Sequence, residues 1–135
     1  MLRGKNMSTI LLSIKPEYSN RILEGIKKFE YRKRIAQEPV DTIIIYSTSP
    51  EMKVVGKAEV LDILSDSPES LWEQTKENSG ISFKKFIEYF KNEEKAYAYK
   101  LGEIELFEPY QDLSDYNVRM APQSFVYIDR ESRAQ

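Results

Sequence analysis

The chain has 135 residues, 41% apolar and 31% charged, the balance of one ordinary globular domain rather than of a disordered segment. It contains no cysteine and no histidine, which excludes disulfides, thiol nucleophiles, zinc sites of the Cys/His kind and histidine-based catalytic units, and fits a cytoplasmic location. A net charge of −2 hides an asymmetry: residues 1–34 carry nine Lys/Arg against three Asp/Glu, whereas residues 59–115 carry six against fourteen. Such a chain is not a general polyanion binder, but a small, focused basic site fits it well. No apolar run approaches the roughly 20 residues of a membrane span, and the first residues lack the apolar core of a secretory signal. Any acid or base must be Glu, Asp, Lys or Tyr. A metal would need oxygen ligands; no clustered carboxylate pattern offers them, and no cofactor is implied.

In chain order, Met1 to Asn6 belongs to no periodic pattern, so Met7 is the expected natural start, and residues 1–7 read as an N-terminal extension. Thr9 to Lys15 alternates as a strand, with Ile10, Leu12 and Ile14 on one face. Pro16 opens a helix at its first turn, Tyr18, Ile22 and Leu23 fall at helical spacing, and Gly25 ends it. Thr42 to Ser47 is a near-continuous apolar strand of the kind buried on both faces. Ser49-Pro50 marks a turn, and Val54 to Leu64 reads as a long strand in which Gly56 allows a bulge or a close backbone contact. Ser67-Pro68-Glu69-Ser70 is an N-cap, an N1 proline and an acidic first turn leading to Leu71-Trp72. Ser79-Gly80 breaks that helix, and Ser82 starts another with Phe83, Phe86, Ile87 and Phe90 on one face. Three further strands are expected: Ala96 to Leu101, Glu103 to Tyr110, and Ser124 to Ile128. Residues 8–130 thus form one α+β domain, a small mixed β-barrel of about six strands with two or three peripheral helices, and residues 131–135 form a tail.

The stretch Gly25-Ile26-Lys27-Lys28-Phe29-Glu30-Tyr31-Arg32-Lys33-Arg34 carries five cations, one carboxylate and two aromatics. As a turn and a strand it places Lys27, Phe29, Tyr31 and Lys33 on one face and Lys28, Glu30, Arg32 and Arg34 on the other. A strand with cations on both faces is expected to line a groove or a sheet edge where an anionic partner docks. Lys27 reads either as a desolvated lysine able to act as a base or as an ordinary phosphate contact. Glu30 and Arg32 either pair with each other or bind a ligand. Phe29 and Tyr31 either stack a base or fill the core. Ser13 and Lys15, two apart on a strand before a helix, could hold a phosphate. The hydroxyls of Tyr46 to Ser49, Ser47 among them, end a strand where ligands are often met. The Gln123 amide, next to Ser124, has the donor and acceptor needed to read a base edge.

Four stretches together resemble the ASCH domains, a branch of the PUA-like superfamily, in their small prokaryotic form. They are Leu11 to Tyr18, Gly25 to Arg34, Ser79 to Phe83 with Tyr89-Phe90, and Ala121 to Phe125. The resemblance implies a pseudo-barrel whose cleft is lined by the strand after the first helix. Related domains bind RNA or recognise modified bases, some have been proposed to cut RNA, and one lineage hydrolyses 4-acetylcytidine. That lineage uses a lysine, matched by Lys27 two residues after Gly25, an arginine matched by Arg32, and a glutamate falling near Glu77. Its threonine is replaced by Glu30, so the hydroxyl nucleophile is absent at the expected place.

The expected function is therefore an RNA- or nucleotide-binding module, regulatory in type, in which Lys15, Lys27, Lys28, Arg32 and Arg34 meet phosphate while Glu30 and Gln123 fix base or sugar identity. The alternative is an amidohydrolase or nuclease acting on modified nucleosides or RNA, with Lys27 assisted by Glu30 or Glu77. A protein partner docking on the acidic helical half, residues 67–95, is the third reading. No helix-turn-helix segment is visible.

Overall fold

The computed structural model describes residues 7–128; the extension up to Asn6 and the expected tail lie outside them. Among the described residues there are six strands and three α-helices: β1 (Ser8–Ile14), α1 (Pro16–Leu23), β2 (Phe29–Arg32), β3 (Val40–Ser47), β4 (Lys53–Asp66), α2 (Pro68–Thr75), α3 (Phe83–Tyr89), β5 (Ala96–Gln111) and β6 (Phe125–Ile128). The strands form one mixed sheet in the order β2-β5-β4-β3-β1-β6. Only β1 and β3 run parallel; the other neighbours are antiparallel.

The α+β reading with about six strands and two or three helices holds, whereas the strands form an open sheet and do not close into a barrel. Strands β2 and β6 end the sheet, and no ladder joins them among the described residues. The sheet nevertheless curls enough for a side chain to cross the gap, because Arg32 of β2 donates through Nη2 to the Ser13 carbonyl of β1 at 2.7 Å.

Local signals place most elements. Lys15 precedes the N1 proline of α1, and Gly25, at φ +81°, takes the chain out of the helix in the left-handed region. The Ser67 hydroxyl caps α2 by accepting from the Ser70 amide, and Ser82 does the same for α3 from Lys85. Gly56 sits at a register shift in β4, where a Cβ would strike the Glu105 carbonyl. Two expectations change. The two strands expected after residue 95 are one 16-residue strand, β5, running through Gly102. In α3, Phe86 and Phe90 are buried whereas Phe83 and Ile87 are exposed, because Phe86 and Phe90 are the pair that meets the Tyr31 ring edge-on.

Alternation along β1 splits the core. Ile10, Leu12 and Ile14 join Ile22 of α1, Ile43 and Ile45 of β3, and Tyr99 of β5. Leu11 turns the other way, to Ile44, Phe107 and Ile128. Phe29 and Tyr31 of β2 join Leu71, Phe86 and Phe90, which seats α2 and α3 on the β2–β5 edge. Both aromatics of the basic stretch are therefore core residues, and Trp72 packs beside Phe83 and Phe86 at 5.2 and 4.9 Å.

Candidate functional site

A cleft of about 750 Å³ opens where the curled sheet fails to close. Its walls come from the β1 end (Ser13, Lys15), α1 (Glu17, Tyr18), the segment through β2 (Lys27, Glu30, Tyr31, Arg32), the end of β3 and the turn after it (Tyr46, Thr48, Ser49, Met52), α3 with its approach (Ile81, Lys85, Glu88, Tyr89) and the loop before β6 (Ala121, Pro122, Gln123).

Lys27 lies at the centre. Gly25 turns the chain so that the Ile26 and Lys27 amides both donate to the Arg21 carbonyl, at 2.9 and 3.0 Å. This sends the Lys27 side chain under the Ser79-Gly80 turn, where the residue is only 3% exposed. Its Nζ donates to the Ser79 carbonyl at 2.7 Å and stands 4.7 Å from the Tyr31 ring centroid and 5.3 Å from that of Tyr18. Burial lowers its pKa from 10.5 to about 8, against the opposing pull of Glu30 and with smaller help from Arg21 and Arg32. Gly80, at φ +66°, makes this seat possible, since a Cβ there would strike the Lys27 stem. Arg21 holds the same turn by donating to the Gly80 carbonyl at 3.0 Å.

Glu30 and Arg32 form the second part. Arg32 donates to Glu30 Oε2 from Nε at 3.1 Å and from Nη2 at 2.9 Å, with side chains 14% and 8% exposed. The pair is neither a surface ion pair nor isolated: Arg32 is tied to Ser13 and reaches the Ser124 hydroxyl at 3.5 Å. Tyr31 turns its hydroxyl to Thr75 at 2.7 Å, and burial pushes its pKa up to about 12. Burial also raises Tyr18 and Tyr89. At the rim, Lys85 of α3 meets Glu17 of α1 at 3.2 Å.

The cleft thus gathers Ser13, Lys15, Lys27, Glu30, Arg32 and Gln123 from the expected site residues. It leaves others out. Lys28, just before β2, and Arg34, beyond its end at Arg32, are exposed and are not among the cleft walls. Glu77 is exposed on the 3₁₀ turn Lys76–Asn78 and also lies outside them. Ser47 is buried against Ser19 of α1, hydroxyl to hydroxyl at 2.9 Å, and Thr48 and Ser49 line the cleft in its place. Ser124 supports Arg32 and accepts the Ser13 amide at 2.9 Å. Four cations (Lys15, Lys27, Arg32, Lys85) face three carboxylates (Glu17, Glu30, Glu88), so the groove is mixed in charge rather than plainly basic. Lys85 and Glu88 carried no sequence signal beyond lying on an amphipathic helix, and Tyr89 entered only through the family resemblance.

Comparison with known proteins supports the architecture. The family model for the ASCH domain matches residues 12–109. The chain is 29% identical over 121 residues to the ATP synthase subunit alpha of Ureaplasma parvum serovar 3, covering 89% of this chain but 15% of that protein. It is 28% identical over 125 residues to the ASCH domain-containing ribonuclease of Zymomonas mobilis, covering 90% of this chain and 84% of that one. The crystal structure of ASCH from Zymomonas mobilis superposes with a TM-score of 0.86 at 25% identity, covering 94% of this chain and 92% of the other. The fold matches across nearly the whole length, and the family model spans most of the elements that build the cleft, from the end of β1 through α3: the chain belongs to the ASCH domain family.

Proposed function

We propose that this ASCH domain binds single-stranded RNA or a nucleotide in the cleft between α1, β2 and α3. The carrying observation is the combination in one concave site of a buried ammonium, a fixed Glu30–Arg32 pair and the more open rings of Tyr18 and Tyr89. Aromatic faces accept bases, at roughly 1–3 kcal/mol per stacked base, and a few cations suffice for the phosphates of a short segment. The relative named an ASCH domain-containing ribonuclease supports RNA over other anions.

A second reading, cleavage of the bound strand, draws on that name and on Lys27. With its pKa near 8, a fraction of Lys27 is neutral at working pH. It could take the proton of a ribose 2′-hydroxyl as that oxygen attacks the adjacent phosphorus and the 5′-oxygen departs. Titration of short RNAs at two salt concentrations, with mass spectrometry of the strands, tests both. Salt-sensitive binding with intact strands supports the binding module. Turnover that disappears in Lys27→Ala, with the fold retained, makes the protein a nuclease. Absence of both refutes the proposal.

A further inference from the structure

The four cations of the cleft are not equally available to a ligand. Lys27 is buried, with Nζ on the Ser79 carbonyl at 2.7 Å. Arg32 is held by Glu30 Oε2 at 2.9 Å and by the Ser13 carbonyl at 2.7 Å. Both are engaged by acceptors of the protein itself. Lys15 and Lys85 are the exposed ones, so a phosphate arriving from solvent meets these two first.

Lys85 already holds an anion. Its Nζ, on α3, donates to Oε2 of Glu17, in the first turn of α1, at 3.2 Å. The pair therefore joins the two helices that flank the cleft, and both of its members line the cleft. Among the described residues it is the only ion pair that Lys85 makes. Glu17 also precedes Tyr18 in the chain, one of the more open rings offered to a base. The two side chains are 58% and 43% exposed, and an ion pair so placed is weak enough to be exchanged.

A carboxylate and a phosphate ask the same thing of an ammonium, since both are anionic acceptors. We infer that Glu17 competes with the ligand's phosphate for Lys85, and that RNA binding exchanges the Lys85–Glu17 pair for a Lys85–phosphate contact. Glu17 thus restrains affinity from inside the site, by occupying the cation and by repelling the phosphate that replaces it. The inference rests on the RNA-binding reading and adds to it the residue that opposes the ligand.

The experiment is fluorescence anisotropy of the full chain with a labelled uridine hexamer at one ionic strength. It compares the wild type with Glu17→Gln, Lys85→Gln, the double variant and Glu24→Gln. Glu24 lies at the far end of α1, exposed and not among the cleft walls, so its variant removes the same charge without touching the pair. Glu17→Gln is expected to bind about two- to fivefold more tightly than the wild type, the scale of one exposed ion pair. Glu24→Gln is expected to stay close to the wild type, and Lys85→Gln to bind more weakly. The gain from Glu17→Gln is expected to shrink when Lys85 is already Gln. RNA binding that Glu17→Gln leaves unchanged overturns the inference and leaves the RNA reading standing. Equal gains from Glu17→Gln and Glu24→Gln, or a gain independent of Lys85, do the same, because they mark a general charge effect. No binding by any of the five proteins overturns the RNA reading as well. All three positions are exposed, so the substitutions are expected to leave the fold intact.

Discussion

Lys27 carries opposite consequences for stability and for binding. Its folded pKa, about 8, lies below the unfolded value of 10.5. Below pH 8 both states hold the proton, and the cost of burying the charge is present in full. Between pH 8 and 10.5 the unfolded chain binds the extra proton, so stability rises with pH, by about 3 kcal/mol in total from this group. Above pH 10 Tyr31 opposes the trend, because its pKa is raised to about 12 and the folded state then keeps a proton the unfolded state loses. Denaturant unfolding from pH 7 to 10 should show this rise in the wild type and a flatter profile in Lys27→Met. Affinity for an anionic ligand should move the other way, weakening as pH climbs through 8, and this pH dependence should be absent from Lys27→Met. Gly80→Ala should cost about 1–3 kcal/mol in the same unfolding assay, because it combines a left-handed backbone with a collision against the Lys27 stem.

At the scale of elements, α3 is held to β2 by few residues, so the cleft wall depends on them. Phe86 is fully buried and touches the rings of Tyr31, Trp72 and Phe90. Phe86→Ala should cost about 3–5 kcal/mol and should weaken ligand binding beyond any loss of folded protein, because Lys85, Glu88 and Tyr89 leave with the helix. Unfolding and binding measured on one preparation separate the two effects. What the sequence made legible here was local: the Ser67 and Ser82 caps, the Gly25 stop and the Gly56 bulge each depend on their own few residues. The continuity of β5 was hidden because Gly102 reads as a strand end, while its actual neighbours, Glu59 and Leu61, are more than 40 positions away. The buried side of α3 was hidden for a similar reason. Four apolar residues compete in a seven-residue helix, and the choice is made by Tyr31 on a distant strand.

For the whole molecule, the sheet's failure to close is what creates the site. The basic stretch could be read from the sequence, as could Lys27, Glu30 and Arg32 within it, because the charges stand close together in the chain. The rest of the cleft comes from five other segments, and no local pattern marks Lys85 or Glu88. Nor could the sequence show that Lys28 and Arg34 fall outside, one just before the four residues of β2 and one beyond them. Among the described residues four cations line the cleft, so the proposed binding of single-stranded RNA there should have a shallow salt dependence. At about 0.7 per neutralised phosphate, the slope of log affinity against log salt should be no steeper than about −3. A steeper slope in a salt titration would mean that cations outside the cleft carry the contact.

The most direct test of the cleft as the RNA site is a titration of the labelled protein with a short single-stranded RNA, followed through its backbone amide resonances. Shifts concentrated at Ser13, Lys27, Glu30, Arg32, Thr48 and Gln123, with Asp41, Glu59, Glu103 and Glu105 unmoved, are the predicted result. Shifts centred on those acidic strand residues, or no shifts at saturating RNA, would contradict it.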